Sequence, residues 1–300
     1  MIRTNENRLV EMSVVGEISH PPLSAVYRVG ADGNPRALPG VGGISYNARV
    51  GMSALEWEAD HVEPGVSCRN CSKQFEGSVS NVGFNVLSQV GNKAIVVSGD
   101  AKGATGVVTG KHGGIEHVLI DFDVKTMDKL VPGDKILVRA FGLGLKLLDF
   151  PQVVAMNVDP RILPRLGLKK QGDRLIVPVH LTIPAATMGS GLGHNQSYSG
   201  DYDIQMFDPD TVREYKLDRL RFGDLVAIMD ADSSFGRIYR RGHVTIGVVV
   251  HSCCTTAGHG PGVTTLFTGS AKHLGFELSE KANLAFALGI GIARGKRRGR

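Results

Sequence analysis

Glycine constrains this chain more than any other residue. There are 39 glycines in 300 residues, and they lie without period among runs of Val, Ile and Leu. Collagen would need a strict three-residue period, and a disordered chain would lack the apolar runs. What remains is a chain that reverses direction often between short apolar segments. That is the signature of a mainly β protein with barrel-like or sandwich units and a few short helices. Hydrophobic residues make up 42% of the sequence, enough for one large core or two small ones.

The local pattern places the segments. "SNVGFNVLSQVGN" (80–92) predicts a short helix that ends at Gly91-Asn92. "KAIVVSG", "TGVVTG" and "IEHVLIDFD" read as strands, and Pro132-Gly133-Asp134 punctuates the way to another. A strand is expected over 174–183, and the strongest β stretch is "HVTIGVVVHS". "LRFGDLVAIMDAD" repeats the turn–Gly-Asp–strand pattern of "LVPGDKILVRAFG", as two related β units would. A last helix is expected in "SEKANLAFALGIGI", capped by Ser279. We divide the chain into a β-rich region 1–150, a second β-rich region 151–293, and a basic tail 294–300; the first two could form one compact unit.

Net charge is +5, and the tail "RGKRRGR" carries five basic residues and no acid, so the body is close to neutral. No secretory leader is visible in "MIRTNENRLV". The apolar stretch 282–293 is shorter than the ~18–20 residues of a membrane span. The expectation is a cytoplasmic protein with no membrane contact. Four cysteines are too few for a disulfide scaffold.

Five polar clusters could carry chemistry. "GKHGG" puts His112 between glycines, where a loop histidine would project into solvent or a site. "DHVEPG" brings Asp60, His61 and Glu63 within four residues. "GHNQSYSGDYDI" holds His194, Asp201 and Asp203; Asp-x-Asp on a strand points both carboxylates to one face, where they repel unless a cation or donors intervene. "MDADSS" repeats that spacing with Asp230 and Asp232 after an apolar strand. "HSCCTTAGHGPG" adds His251, Cys253, Cys254 and His259, the last in a backbone constrained by glycine and proline. The cysteines with Cys68-x-x-Cys71 lack zinc-finger spacing and are read mainly as small apolar fillers. No P-loop, dinucleotide fingerprint or serine elbow is complete, so no nucleotide cofactor is implied.

Three resemblances follow. "VVSGDAKGATGVVTGKHGG" is similar over about 25 residues to the KOW strand–turn–strand element of ribosomal and transcription proteins, which with the tail implies RNA as the less favoured partner. "LPGVGGISYNARVG", "DHVEPGVS", "VVSGDAKGATGVVTGKHGG", "GDYDIQ" and "GHGPGV" together resemble the prokaryotic domain-of-unknown-function family 4438, over nearly the whole chain. That resemblance implies a β-rich protein and no particular activity. "SGDYDI" followed by "LVAIMDADSSFG" resembles, in order and spacing, two segments of the acetamidase/formamidase amidases. It departs from them at Asp201, where they carry Asn, and at Asp230-Ala231-Asp232, where the family's histidine is missing.

The expectation is a metal-assisted hydrolase of a small amide or related polar molecule. Asp203, Asp230 and Asp232 would hold Zn, Mn or Mg with His61 or His194, Asp201, Asp60 and Glu63 would add binding contacts, and His112 or His259 would move protons. The alternative is a metabolite-binding or structural protein without turnover, in which the polar loops bind a small molecule or build a homo-oligomer.

Overall fold

The computed structural model describes residues 2–22, 27–72 and 79–295. The tail beyond Gly295 lies outside the described residues. The strands are, in chain order, β1 (Met12–Ile18), β2 (Arg28–Val29), β3 (Pro35–Arg36), β4 (Ile44–Ser45), β5 (Gly65–Arg69), β6 (Lys93–Val96), β7 (Thr105–His112), β8 (His117–Asp121) and β9 (Lys135–Ala140). They continue as β10 (Val154–Ala155), β11 (Lys169–Gln171), β12 (Arg174–Val179), β13 (Leu181–Ile183), β14 (Tyr202–Asp203), β15 (Leu225–Asp232), β16 (Ile238–Val249), β17 (Gly262–Ser270) and β18 (Leu274–Leu278). Four short helices accompany them: α1 (Val79–Leu87), α2 (Val124–Met127), α3 (Pro209–Tyr215) and α4 (Leu284–Leu288). The chain is mainly β, as its glycine and apolar pattern requires.

The first half forms a closed barrel. Its order is β1-β9-β6-β7-β8-β5, and β5 returns to β1 through Glu17↔Arg69 and Ile18↔Cys68; β4 extends β5 on the outside. Alternation drives the closure. In β9, Ile136, Val138 and Ala140 are buried while Lys135 and Arg139 are exposed. Ile18, Val66, Val96, Val108 and Ile120 belong to the same cluster, with Phe84 of α1 packed into it. Closure removes the open sheet edges that invite association.

The second half is an open sheet, β10-β17-β16-β15-β13, with β14 paired to β17, beside a three-stranded sheet β11-β12-β18. The two halves share one core: Val90 and Leu119 of the barrel region pack in the same cluster as Leu225, Val244 and Leu266. They also share hydrogen bonds. Lys111 N donates to Thr264 Oγ1 (3.1 Å), and that hydroxyl donates to Lys111 O (2.9 Å).

Two expectations about elements change. The last helix is capped by Asn283, whose side chain accepts from Ala285 N, and not by Ser279. The repeated Gly-Asp pattern does not mark two like units, since one lies in a barrel and the other in an open sheet. It is a turn device: Asp134 accepts from Val131 N (3.0 Å) and Asp224 from Arg221 N (2.8 Å). Each carboxylate closes the turn that launches its strand.

Candidate functional site

The site lies on the seam between barrel and sheet. Four pieces of chain meet there: the segment 59–63 leading into β5, the end of β7, the approach to β14, and the connection between β16 and β17. Backbone pairing locks the pieces together. Val62 N donates to Ser252 Oγ (2.8 Å) and Ser252 N to Val62 O (3.0 Å), while β14 pairs with β17 through Tyr202↔Val263 and Asp203↔Gly262.

Four histidines converge. His112 and His251 have ring centroids 4.2 Å apart, His61 and His251 5.0 Å, and His61 and His259 5.2 Å. Each has its Nδ1 tied to an acceptor. His61 Nδ1 meets Asp60 Oδ1 (2.7 Å), His112 Nδ1 meets Glu63 Oε1 (2.5 Å), His251 Nδ1 meets Ser252 O (3.0 Å), and His259 Nδ1 meets Ala257 O (3.1 Å). An Nδ1–H donated outward fixes the tautomer and leaves Nε2 as the lone-pair nitrogen.

The acidic part comes from Asp201 and Asp203, two residues apart and on one face. His251 Nε2 lies 2.7 Å from Asp201 Oδ2 and 3.6 Å from Asp203 Oδ1, and His61 Nε2 lies 3.6 Å from Asp203 Oδ2. The 2.7 Å pair does not align as a hydrogen bond: among the described residues neither Asp201 Oδ2 nor His251 Nε2 has a hydrogen-bond partner. Two ligands about 2.1 Å from one tetrahedral ion would stand roughly 3.4 Å apart. The two 3.6 Å separations suit atoms that share a third partner, while the 2.7 Å pair stands closer than that. Ligand atoms of His61, His112 and His251, of Asp201, Asp203 and His251, and of His61, Asp203 and His259 all fall within 4.8 Å of one another in each group. Asp60, His61 and Cys254 form a further group, with Cys254 Sγ 2.7 Å from Asp60 Oδ1.

The remaining bonds hold these side chains still. Glu63 is wholly buried; besides His112 it meets His117 Nδ1 (3.0 Å) and accepts from Ser67 Oγ and Gly42 N, both at 2.6 Å. Gly113 N donates to Asp201 Oδ1 (2.7 Å) and Gly260 N to Asp203 Oδ2 (3.2 Å). Gly262 makes the approach sterically feasible. A Cβ there would stand 1.7 Å from Asp201 Oδ2 and 2.1 Å from His251 Nε2.

Charges follow from this packing. Burial works against a charged His61, but Asp203 and Asp60 outweigh it and push its pKa up to about 12. Burial works against His251 too, and the negative Asp201 and Asp203 raise it to about 10. Burial pushes His112 down, helped by the charge on His251 and opposed by Glu63. Burial would raise the acids, yet their histidine partners hold Asp60 down at about 2 and keep Asp201, Asp203 and Glu63 low. Without an ion, this balance favours protonated His61 and His251 beside ionised carboxylates.

Above the cluster opens a cavity of about 950 Å³. Its walls come largely from the turn-rich N-terminal segment, including Pro21, Tyr46 and Trp57, and its floor includes His61, His112, Asp201, Asp203 and His259.

The residues singled out from sequence separate cleanly. His61, His112, His259, Asp201 and Asp203 are brought together, with Asp60 and Glu63 immediately behind them. His112 is the last residue of a strand and buried, not a projecting loop residue, because β7 runs one turn further than its glycines suggest. His194 is exposed on the cavity wall, engaged with Gln196, and joins no ligand group. Asp230 and Asp232 do not reach the site. Asp230 sits at the bulge of β15 and accepts from Gly242 N (2.7 Å), while Asp232 pairs with Arg240 (2.8 Å) and accepts from Ser234 N (2.9 Å). Both carboxylates serve the β15–β16 hairpin. The second segment of the amidase-like order therefore contributes nothing here. Among the described cysteines, only Cys254 enters a ligand group. His251 ends the most strongly β stretch of the sequence, and beside Cys253-Cys254 its local pattern points to zinc or to a cysteine nucleophile and not to Asp201 and Asp203. His117 and Arg237 gave no local signal.

Among curated proteins none matches. The crystal structure of TM1086 superposes with a TM-score of 0.89 at 48% identity, covering 95% of this chain and 98% of that one. Two family descriptions match in succession: domain of unknown function (DUF4438), N-terminal, over residues 27–164, and its C-terminal counterpart over residues 165–288. Fold, motifs and coverage agree, and the chain belongs to the DUF4438 family.

Proposed function

We propose that this is a metal-dependent enzyme that hydrolyses a small amide or a related carbonyl compound. The observation that carries the reading is the set of four histidines pinned through Nδ1 beside a cavity, two of which, His61 and His251, bring Nε2 to Asp201 and Asp203. Metal-ligating histidines characteristically donate the other ring N–H to a carboxylate or a backbone carbonyl, and the Nδ1 partners of these four support that reading. The mixed nitrogen and oxygen set suits Zn, Mn or Fe better than Mg. A divalent ion there would supply Lewis-acid polarisation of a carbonyl and acidify a water. His61, His112, His251, Asp201 and Asp203 would be the ligands. Asp60 and Glu63 would fix the imidazole tautomers. His259, half-exposed at the cavity side, is placed to move a proton.

The test is elemental analysis of the isolated protein beside His112→Ala and His251→Ala, followed by an amidase screen before and after chelation. About one Zn, Mn or Fe per chain, lost in both variants while the fold persists, supports the reading. No metal after incubation with each ion ends it. Stoichiometric metal with no turnover of amides or esters would leave the alternative, a metal-dependent binding protein.

A further inference from the structure

The cavity wall contains a buried guanidinium with no ion-pair partner among the described residues. Arg237 is 3% exposed, yet among the described residues no carboxylate lies within 4.0 Å of its guanidinium. One nitrogen, Nη2, donates to Ser199 O (2.6 Å), and the group lies 5.4 Å from the centre of the Tyr202 ring. Its Nε has no partner. The other basic groups of the cavity differ. Arg28 and Arg36 are more exposed and already face Asp60 and Asp32. Lys111 is buried but does not line the cavity, and Asn157 and Tyr198 O hold its amine at 2.8 and 2.7 Å.

Burying a charge without a partner is costly, so buried guanidinium groups are normally paired. The acids whose charge reaches Arg237 are Asp201, Glu116 and Asp203; Glu116 lines the cavity but makes no ion pair with the guanidinium, and Asp201 and Asp203 are turned to the histidines and to the backbone N–H groups of Gly113 and Gly260. A cation bound by Asp201 and Asp203 would cancel the compensation those two give Arg237, leaving only Glu116, beyond ion-pair distance. The guanidinium also stands next to the cluster: its Nη2 lies 3.9 Å from where a Cβ on Gly200 would be, and Gly200 directly precedes Asp201.

We propose that the molecule bound in this cavity carries a carboxylate, and that Arg237 receives it. The planar fork of arginine matches a carboxylate. A single guanidinium in the cavity wall fits that singly charged group better than phosphate; Lys111, whose charge reaches Arg237, keeps its amine on Asn157 and Tyr198 O outside the cavity lining. The proposal deepens the metal-enzyme reading: the substrate's carboxylate would sit at Arg237 while its reacting carbonyl faces the histidines.

Calorimetric titration of the purified protein with succinate, with its neutral counterpart succinamide and with inorganic phosphate tests this. Arg237→Lys and Arg237→Met are titrated alongside, and melting temperature and metal content are read on every sample. Succinate should bind the unaltered protein about tenfold or more tighter than succinamide. Arg237→Met should abolish that preference and Arg237→Lys should reduce it. The Lys variant carries the test if the Met variant does not fold. Equal affinity for succinate and succinamide overturns the proposal, as do phosphate binding more tightly than succinate, no succinate binding below ~10 mM, or a preference that survives loss of the guanidinium. Metal content separates the two readings. A metal-free protein that still selects succinate keeps the carboxylate and drops the metal. A metal-loaded protein without selection does the reverse.

Discussion

At the scale of the residue, two positions make sharp predictions. Gly262 has no room for a methyl group between Asp201 and His251. Gly262→Ala should therefore push those side chains apart and abolish metal uptake, read by elemental analysis. Unchanged metal content would mean the ion sits elsewhere. Glu63 holds His112 and His117 from behind. Glu63→Gln keeps its size but removes the charge that orients both rings, and metal affinity should fall 10–100-fold, the usual effect of losing an outer-shell partner. Competition with a chelating dye measures it. Both residues stand in stretches that the sequence marks as unusual, "DHVEPG" and "GHGPG". Their neighbours in space stand in other stretches of the chain, the partner of Glu63 being 49 residues away at His112.

At the scale of the element, the Asp-x-Asp pairs show why spacing alone misleads. Asp201–Asp203 and Asp230–Asp232 have the same spacing and both adjoin strands. The first lies where β14 meets β17 and faces His251; the second sits at a bulge and serves a hairpin. Asp203→Asn should lose the metal while Asp230→Asn keeps it, and a reversal of that result would place the site on the wrong strand. The seam itself rests on Thr264, whose hydroxyl bonds both N–H and C=O of Lys111. Thr264→Val leaves two buried backbone groups unpaired and should cost about 1–3 kcal/mol of stability, read by chemical denaturation. His112 follows Lys111 directly, so metal affinity should fall with it.

At the scale of the whole molecule, the cluster couples stability to pH. Burial opposes charge on His61 and His251, but the neighbouring carboxylates push them up to about 12 and about 10, above the ordinary 6.5. A raised pKa contributes stability that is complete below the unfolded value and is lost as pH rises through the folded one. The chelated protein should therefore lose melting temperature steadily from near pH 6.5 toward pH 10. A bound ion must displace those protons, so metal affinity should rise with pH and binding should release protons. Titration in buffers of different ionisation enthalpy counts them. A flat stability profile in the chelated protein, with no proton release, would show that the histidines are not protonated against the acids.

The sequence alone determined the secondary structure class and most strand positions, because alternation, β-branched runs and glycine turns act within a few residues. It also marked His61, His112, His259, Asp201 and Asp203 as chemically unusual, since polar side chains among glycines have few local uses. Only the tertiary structure decided which of them meet. Closing a barrel and packing it against a sheet brings together residues as far apart in sequence as His61 and His259. It excluded Asp230 and Asp232, enlisted His251 and His117, and buried Arg237 without an ion-pair partner among the described residues. Local pattern records what each strand buries; which strand ends share a site is set by the pairing of distant edges, and that free energy is spread over the whole core.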